Sequence, residues 1–474
     1  MKNNSMKTRN IISYLLFYLV SFCSSIFAEQ REYFIINSFD EESEIPRAFG
    51  TQYYDAVVKH KMIYDLTFDE WFNGPHALAS LCGARTLVES NGIIPAVSYI
   101  GNFASNPVGG ISRGASNTSS VNLGLGVDLK ELTDMESLKG WTIGNTWVWR
   151  FGESLTKRRI GNAFNVQQNY GSQTIQLQSI FASYNKDILA DWHWTLKFGR
   201  FAAGDNFMTK PIYWLYQNNA FDGNPVGVFK QTRLSAYPGS TWAVFSQLTY
   251  KDGQYAKAGV YKINTAKQDS SHGLDFDFRG DGVNANFEFG WNINHDDSGK
   301  SPANISAGIV AQWYDAPHID NPMSVSNFNC SIYLQADYMI YNMGYLKDDE
   351  PYYIVRDSDK WRDLRGIILW GAIQYDPYDY LADMPIFVNG GLLFNAPFKS
   401  RADDVLCFGI AYGRFSDRYS DHRKDSYETV FEVNYKFQIN RFSFIQPNIQ
   451  YILNPNGGGI SDALVIGMQF GFNL

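Results

Sequence analysis

The chain has 474 residues, of which 16% are Phe, Trp or Tyr, and its formal net charge is −8. An acidic chain is a poor match for phosphate backbones, so nucleic acid is excluded as the expected partner. The mean hydropathy is negative, which excludes a protein built mainly of membrane-spanning helices. A large all-β protein fits these totals, because strands favour aromatic residues and membrane β-barrels carry aromatic girdles.

The first 28 residues predict a secretory signal peptide. Cationic residues precede an uncharged, mostly apolar run from Ile11 to Phe27, and Ala28 offers a small residue for cleavage. An uncleaved membrane anchor is the alternative. Residues 29–65 have mixed charge and no period of two, and we interpret them as a short N-terminal periplasmic segment.

From Ile93 onward, short segments alternate apolar and polar residues between clusters of Gly, Asn, Asp and Pro. Each is about ten residues long, the length with which a tilted strand crosses an outer membrane. An even number of such strands is typical of a closed bacterial barrel. We predict an antiparallel transmembrane β-barrel over residues 66–474. Its sixteen strands are expected near 93–103, 120–128, 141–150, 173–184, 192–200, 241–250, 255–263, 284–294, 303–314, 330–343, 364–376, 384–396, 404–415, 426–438, 442–454 and 461–474.

The alternation is clearest in the last fifty residues. Between Tyr427 and Phe437 the odd positions carry mostly aromatic and β-branched side chains, and the even positions are mostly polar. Between Leu464 and Leu474 the even positions are large and apolar, and the odd positions are mostly small or polar. The apolar face is expected to contact lipid and the other face a water-filled lumen. A soluble β-sandwich with one solvated face is the alternative.

The connections between the strands predict the orientation of the barrel. With both termini in the periplasm, the extracellular connections include the long segments 104–119, 152–172, 201–240, 264–283 and 315–329. The periplasmic connections include the short segments 185–191, 251–254, 295–302 and 439–441. This asymmetry is typical of outer-membrane barrels. The connection 344–363 is long, charged and nominally periplasmic, so either the strand register is off by one there or the turn is elaborated.

A series of residues near the C-terminus carries a family resemblance. It consists of Glu432, Tyr435, Gln446-Pro447-Asn448-Ile449-Gln450-Tyr451-Ile452, Asn454-Pro455, Gly457, Asp462-Ala463-Leu464-Val465 and Gly467. This series resembles the carbohydrate-selective porin family called OprB, and the resemblance spans about residues 66–474. The family's opening Asp-Trp-Gly-Gly signature is replaced here by Glu70-Trp71-Phe72-Asn73-Gly74.

The resemblance implies a monomeric porin in the bacterial outer membrane, and a trimer is the alternative. Such a barrel contacts outer-membrane lipid and passes small carbohydrates by passive diffusion. Loops folded into the barrel would form a constriction, and arginines would line a basic eyelet.

The connection 201–240 is the longest predicted outer loop and is expected to form the constriction. Aromatic rings stack on the C–H faces of sugars, and charged groups bond their hydroxyls. The alternative is that these aromatics pack the loop against the barrel wall and that the charges are solvated. The candidate substrate-binding residues are Tyr213, Trp214, Tyr216, Lys210, Lys230 and Arg233, with Arg158 and Arg159 of the connection 152–172 facing them.

Strand parity also predicts charged side chains on the lumen wall. Charges of both signs along a lumen tune selectivity through their field. The predicted pore-lining residues are Arg150, Lys197, Glu288, Glu432 and Lys436.

Enzymatic function is not predicted. The run Gly110-Ile111-Ser112-Arg113-Gly114 matches a nucleophile elbow, but that elbow requires a following helix, and Asn117 to Ser120 is a polar stretch. The cysteines beyond residue 28 share no metal-like spacing, so no metal or cofactor is predicted. The alternatives are a general small-solute porin, an outer-membrane barrel esterase or lipase, and a soluble sugar-binding or structural β protein.

Overall fold

A computed structural model describes residues 66–474 of the chain except 75, 82, 172, 225–230, 252, 264–277, 279, 296–298, 347–363 and 419–424. The predicted signal peptide, residues 1–28, and the segment 29–65 therefore lie outside the described residues.

Sixteen antiparallel strands of the described chain form a closed barrel in which the first strand pairs with the last. They are β1 (Ile93–Val108), β2 (Gly114–Asp128), β3 (Trp141–Gly152), β4 (Ile175–Leu189), β5 (Trp192–Phe201), β6 (Thr241–Tyr250), β7 (Gln254–Ile263), β8 (Gly282–Ile293), β9 (Ala303–Tyr314), β12 (Asn329–Tyr345), β13 (Leu364–Tyr375), β14 (Ile386–Asn395), β15 (Val405–Arg414), β16 (Tyr427–Asn440), β17 (Ser443–Leu453) and β18 (Ala463–Asn473). A separate hairpin of β10 (Ala316–Pro317) and β11 (Val325–Ser326) lies between β9 and β12. The predicted sixteen-stranded antiparallel barrel is confirmed.

Short helices occur only between strands or before β1 in the described residues. They are the α-helices α1 (Phe68–Phe72), α2 (Ala84–Glu89) and α3 (Leu129–Thr133), a π-helix at Thr156–Ile160, and 3₁₀-helices at Glu136–Leu138, Ala203–Asp205 and Pro211–Leu215. No helix in this part of the chain has the length and apolar character that a bilayer crossing requires.

The faces of the strands follow the alternation of the sequence. On β8, Phe287 and Phe289 are 54% and 63% exposed on the outside, whereas Asn286 and Glu288 between them are buried inside. Every one of the sixteen barrel strands presents at least one large exposed apolar side chain outward. This continuous apolar belt is the surface that lipid contacts in an outer-membrane barrel.

One predicted outer loop is much shorter in the structure. The expected long loop 104–119 is a turn of residues 109–113, because β1 and β2 extend further than predicted. Gly109 makes this turn with a φ of +76°, and it lies so close to the Asp462 carbonyl that a Cβ would clash. β12 pairs with β9 on one side and with β13 on the other, so the strand count is not off at the connection after β12. Residues 347–363 of that connection lie outside the described residues.

The seam between β1 and β18 is reinforced from outside the strands. The Leu474 N–H donates to the Val97 carbonyl at 2.9 Å, and the Ala77 N–H donates to the Asn473 carbonyl at 3.0 Å. The Trp71 ring packs on Phe442 with centroids 5.2 Å apart. The segment that departs from the family's opening signature thus packs at the barrel end that carries the shortest turns, which is the periplasmic end.

Reversing the polarity of one outward position should destabilise the barrel. Val433 is 40% exposed at the middle of β16, and an arginine near the bilayer midplane costs about 2–4 kcal/mol. We expect Val433→Arg to lower the free energy of unfolding in liposomes by that amount, as measured by denaturant titration. Val433→Met is the control. Equal stability of the two variants would contradict lipid contact at this face.

Candidate functional site

Two outer connections fold into the barrel and fill much of it. The first inward loop is residues 153–174, between β3 and β4, and the second inward loop is residues 202–240, between β5 and β6. Both contribute buried apolar side chains to one cluster with the inner wall of β12–β18. The expected small or polar inner face is therefore interrupted by an apolar patch, which includes Ile368, Trp370, Phe387, Leu393 and Cys407.

Two of the three predicted stacking aromatics anchor the second inward loop. Tyr213 and Tyr216 are fully buried. The Tyr213 hydroxyl donates to Gln335 Oε1 at 2.9 Å, and the Tyr216 hydroxyl donates to the Phe408 carbonyl at 3.0 Å while accepting from Trp370 Nε1 at 2.9 Å. Neither ring is available to a solute, so the expected platform of three stacking rings is corrected: Trp214 is the one of the three that is exposed. The alternative interpretation, packing against the wall, holds for these two residues.

Trp214 is the aromatic residue that remains accessible. Its side chain is 46% exposed, more than that of any other aromatic residue described in the second inward loop. The ring meets Tyr237 edge to face, with centroids 6.3 Å apart. Gly223, with a φ of +69°, lies against the indole, and a Cβ there would come within 3.2 Å of it. Glycine therefore allows the ring to lie close over the loop backbone.

Arg150 and Tyr237 join this exposed ring to the opposite wall. The Arg150 guanidinium lies 5.0 Å from the centroid of the Tyr237 ring, and its Nη1 donates to the Gly171 carbonyl at 3.3 Å. The Tyr237 hydroxyl donates to Asn122 Oδ1 on β2. This arrangement places a cation, a ring and an amide side by side within the lumen.

Asp222 adds an acid near these groups. Burial raises the pKa of the Asp222 carboxyl well above its usual range, and the positive charge of Arg150 opposes that rise. We call Asn122, Arg150, Trp214, Asp222 and Tyr237 the eyelet cluster. Strand parity predicted Arg150, but Asn122, Asp222 and Tyr237 were missed because no local pattern distinguishes them from other polar loop and wall residues.

The remaining predicted charges lie elsewhere. Lys210 forms a buried ion pair with Asp337 at 2.9 Å, and Arg233 is exposed, with its side chain hydrogen-bonded to Tyr314. Arg158 pairs with Glu153 at 2.8 Å, and Arg159 Nη1 donates to Ser112 Oγ at 3.2 Å. The partners of Arg158 and Arg159 lie in the first inward loop and in the outer turn 109–113. Lys230 lies outside the described residues.

The two predicted wall lysines face inward and lie over aromatic rings. Lys197 Nζ is 4.0 Å from the centroid of Phe181 and 4.7 Å from that of Phe201. Lys436 Nζ is 4.5 Å from the centroid of Phe444. The rings stabilise these cations where the wall is partly desolvated.

The predicted wall carboxylates bind the inward loops. Glu432 accepts the backbone N–H groups of Gln217 and Asn218, each at 2.8 Å. Glu288 accepts the Met208 N–H at 3.2 Å and lies 3.0 Å from Lys257 Nζ. Their side chains are buried, so they position the constriction rather than line the open channel.

A third carboxylate, Glu428, was not among the predicted site residues. Its Oε2 accepts the Ala163 N–H of the first inward loop at 2.7 Å and the Asn456 N–H of the outer connection after β17 at 2.6 Å. Glu428 and Glu432 share the inward face of β16, so this strand holds both inward loops. The available sequence signal was that both carboxylates lie on the polar face of the alternating pattern of β16.

One sector of the wall carries almost no charge. The neighbouring strands β17, β18, β1 and β2 contain a single ionisable acid or base of the Asp, Glu, Lys and Arg types, Asp128 at the end of β2. Buried amides occupy inward positions of this sector, among them Asn102, Asn122, Asn448 and Gln469. Neutral donors and acceptors suit hydroxyl-bearing solutes.

The comparison with known proteins decides the family. A model of the carbohydrate-selective porin family OprB matches residues 112–474. The chain belongs to this family. Porin B of Pseudomonas aeruginosa is 23% identical over 448 residues, which cover 84% of this chain and 91% of that protein.

Solved structures share the fold of this OprB-family chain. The high-pH structure of Pseudomonas putida OprB superposes with a TM-score of 0.73 at 20% identity, covering 85% of this chain and 99% of that one. The low-pH structure of the same protein gives a TM-score of 0.52 over equal coverage. The predicted family resemblance, the location in the bacterial outer membrane and the function as a sugar-diffusion porin are confirmed.

Removing the Glu432 anchor should loosen the constriction. Glu432→Ala leaves two buried N–H groups without an acceptor, at about 1–3 kcal/mol each. We expect higher single-channel conductance and larger current fluctuations in planar bilayers. Glu432→Gln keeps one acceptor oxygen and should change both quantities less. If Glu432→Ala behaves like the unmodified protein, the carboxylate does not hold the loop.

Proposed function

We propose that this porin selects small neutral or anionic sugars at the eyelet cluster, by passive diffusion and without catalysis. The observation that carries the proposal is the exposure of Trp214 beside two neighbouring tyrosines that are fully buried. Burial of those two rings fixes the loop, and the exposed ring presents a flat apolar surface within the lumen.

The chemistry of the eyelet cluster suits a sugar ring. The C–H face of a pyranose stacks on the indole of Trp214, and its rim of hydroxyls meets polar groups. Arg150 and Asn122 are buried, so they position Tyr237, whereas the partly exposed Asp222 carboxyl offers oxygen acceptors to the sugar hydroxyls. The low charge of the β17–β2 sector favours neutral solutes, and the cation of Arg150 accommodates an anionic group.

Replacing Trp214 with alanine should weaken the block of ion current by added sugar by about fivefold to tenfold, the scale of losing one aromatic stacking contact. The conductance without sugar should change little, because the buried tyrosines still anchor the loop. Current through single channels in planar bilayers, titrated with sugar, measures both quantities.

Trp149→Ala is the matched control for this experiment, since Trp149 is 49% exposed on the lipid-facing side of β3. The control should retain the sugar block. An unchanged block in Trp214→Ala would remove this residue from the binding site. Absence of a sugar block in the unmodified protein would favour the second candidate, a general small-solute porin.

We also propose that the porin is a monomer rather than a trimer. A monomer contacts lipid on every side, and large exposed apolar side chains do occur on all sixteen strands. Such a belt suits lipid contact around the whole circumference. We expect native mass spectrometry from mild detergent to give the mass of one chain, and a threefold mass would contradict the proposal.

A further inference from the structure

Four exposed cations gather at the outer rim above the seam of the barrel. Arg113 lies in the turn 109–113, and Lys157, Arg158 and Arg159 lie in the π-helix of the first inward loop. Two hydrogen bonds join these elements: Ser112 N–H donates to the Arg159 carbonyl at 2.9 Å, and Arg159 Nη1 donates to Ser112 Oγ at 3.2 Å. The sequence predicted Arg158 and Arg159 as sugar ligands, but their partners place them at this rim.

The same place carries exposed apolar side chains. Val108 is 53% exposed and pairs with Leu464, so it lies on the lipid-facing side of β1, and Ile111 in the adjoining turn is 63% exposed. Ile111 contacts the position of Gly161 in the first inward loop. Val108, Ile111, Arg113, Lys157, Arg158 and Arg159 are called the rim patch. Its apolar part continues the lipid-facing belt, and the Lys157 ammonium lies 5.2 Å from the centroid of the Tyr170 ring in the first inward loop.

Among the described residues, the acids near the rim patch balance its charges incompletely. Glu153 pairs with Arg158 at 2.8 Å. The Asp462 carboxylate, at the neighbouring strand end, is bonded to the Asn454 N–H at 2.9 Å and the Tyr451 hydroxyl at 3.0 Å. Other outer cations differ: Arg414 pairs with Asp417, and Arg418 lies between Asp320 and Asp379. The rim patch is therefore a local excess of positive charge.

We propose that the rim patch binds the phosphorylated headgroup of a glycolipid in the outer leaflet. Arginine forks match phosphate oxygens in geometry and charge. Basic residues at the edge of a membrane-spanning surface attract anionic headgroups. A soluble anion would need only the cations, whereas a lipid also uses Val108 and Ile111 beside them. The continuity of apolar and cationic surface favours the lipid.

The test uses the folded protein in detergent, with diphosphoryl lipid A as the probe. Each cation near a headgroup contributes about fivefold in affinity, so Arg113→Gln/Arg158→Gln/Arg159→Gln should weaken binding by on the order of a hundredfold. Arg414→Gln/Arg418→Gln, which removes two outer cations that have carboxylate partners, is the matched control and should bind as the unmodified protein does. Fully dephosphorylated lipid A should bind weakly to all three proteins.

Three results would overturn the assignment. They are equal affinity of the triple variant and the unmodified protein, equal binding of phosphorylated and dephosphorylated lipid A, and displacement of lipid A by inorganic phosphate at similar concentration. The last result would indicate a phosphate site without a lipid component. Gel electrophoresis of the unheated protein shows whether the triple variant still migrates as a folded barrel. If it does not, Arg113→Gln alone provides the test, with an expected loss of about fivefold in lipid A affinity. The Arg113 side chain makes no hydrogen bond or ion pair with another described residue, so this change should leave the fold intact.

Discussion

The constriction of this porin depends on carboxylates of the inner wall that accept backbone N–H groups of the inward loops. Glu432 holds the second inward loop, Glu428 holds the first, and Glu288 binds the second again from the opposite side. A carboxylate that accepts backbone N–H groups forms charge-assisted hydrogen bonds, about twice as strong as neutral ones. The loop backbone is thereby fixed to a rigid strand.

Apolar packing also holds the second inward loop against the barrel wall. Tyr213 and Tyr216 pack with Trp370, with ring centroids 5.2 and 5.4 Å apart, and place the short 3₁₀-helix Pro211–Leu215 against β13. The ring of Trp214, between these two anchors in sequence, is then directed away from the wall. In the proposed sugar site, the burial of the two tyrosines is therefore what leaves Trp214 as the exposed ring. The wall on the other side is amide-rich and nearly free of charge, so the lumen differs in chemistry from one side to the other.

The sequence predicted the barrel well because a period of two follows directly from strand geometry and from the contrast between lipid and water. All sixteen barrel strands were expected, and the outward faces of β3, β5, β8 and β16 agree with the alternation. The end of β1 was placed too early and the start of β2 too late, since Ser, Asn and Gly in that region resemble a loop.

The eyelet cluster was harder to predict. Trp214 and Arg150 were anticipated from loop length and parity, but Tyr213 and Tyr216 are chemically equivalent to Trp214 in one dimension. Only the folded loop shows which rings anchor it and which ring is exposed. The inward apolar patch of β13–β15 could not be recognised from the sequence, because both faces of those strands carry apolar residues and the alternation is lost.

The pairing of β1 with β18 has a consequence for biogenesis. The edge of β1 has no partner on its closing side until the strand that ends at Asn473 has been made, so nearly the whole chain must emerge first. Contacts so distant along the chain form slowly, and an open strand edge invites pairing with other molecules. The hydrogen bonds that join Leu474 to Val97 and Asn473 to Ala77 therefore form in the final step of assembly and stabilise the closed barrel. A nascent chain that lacks them has to be shielded from its neighbours until closure is complete.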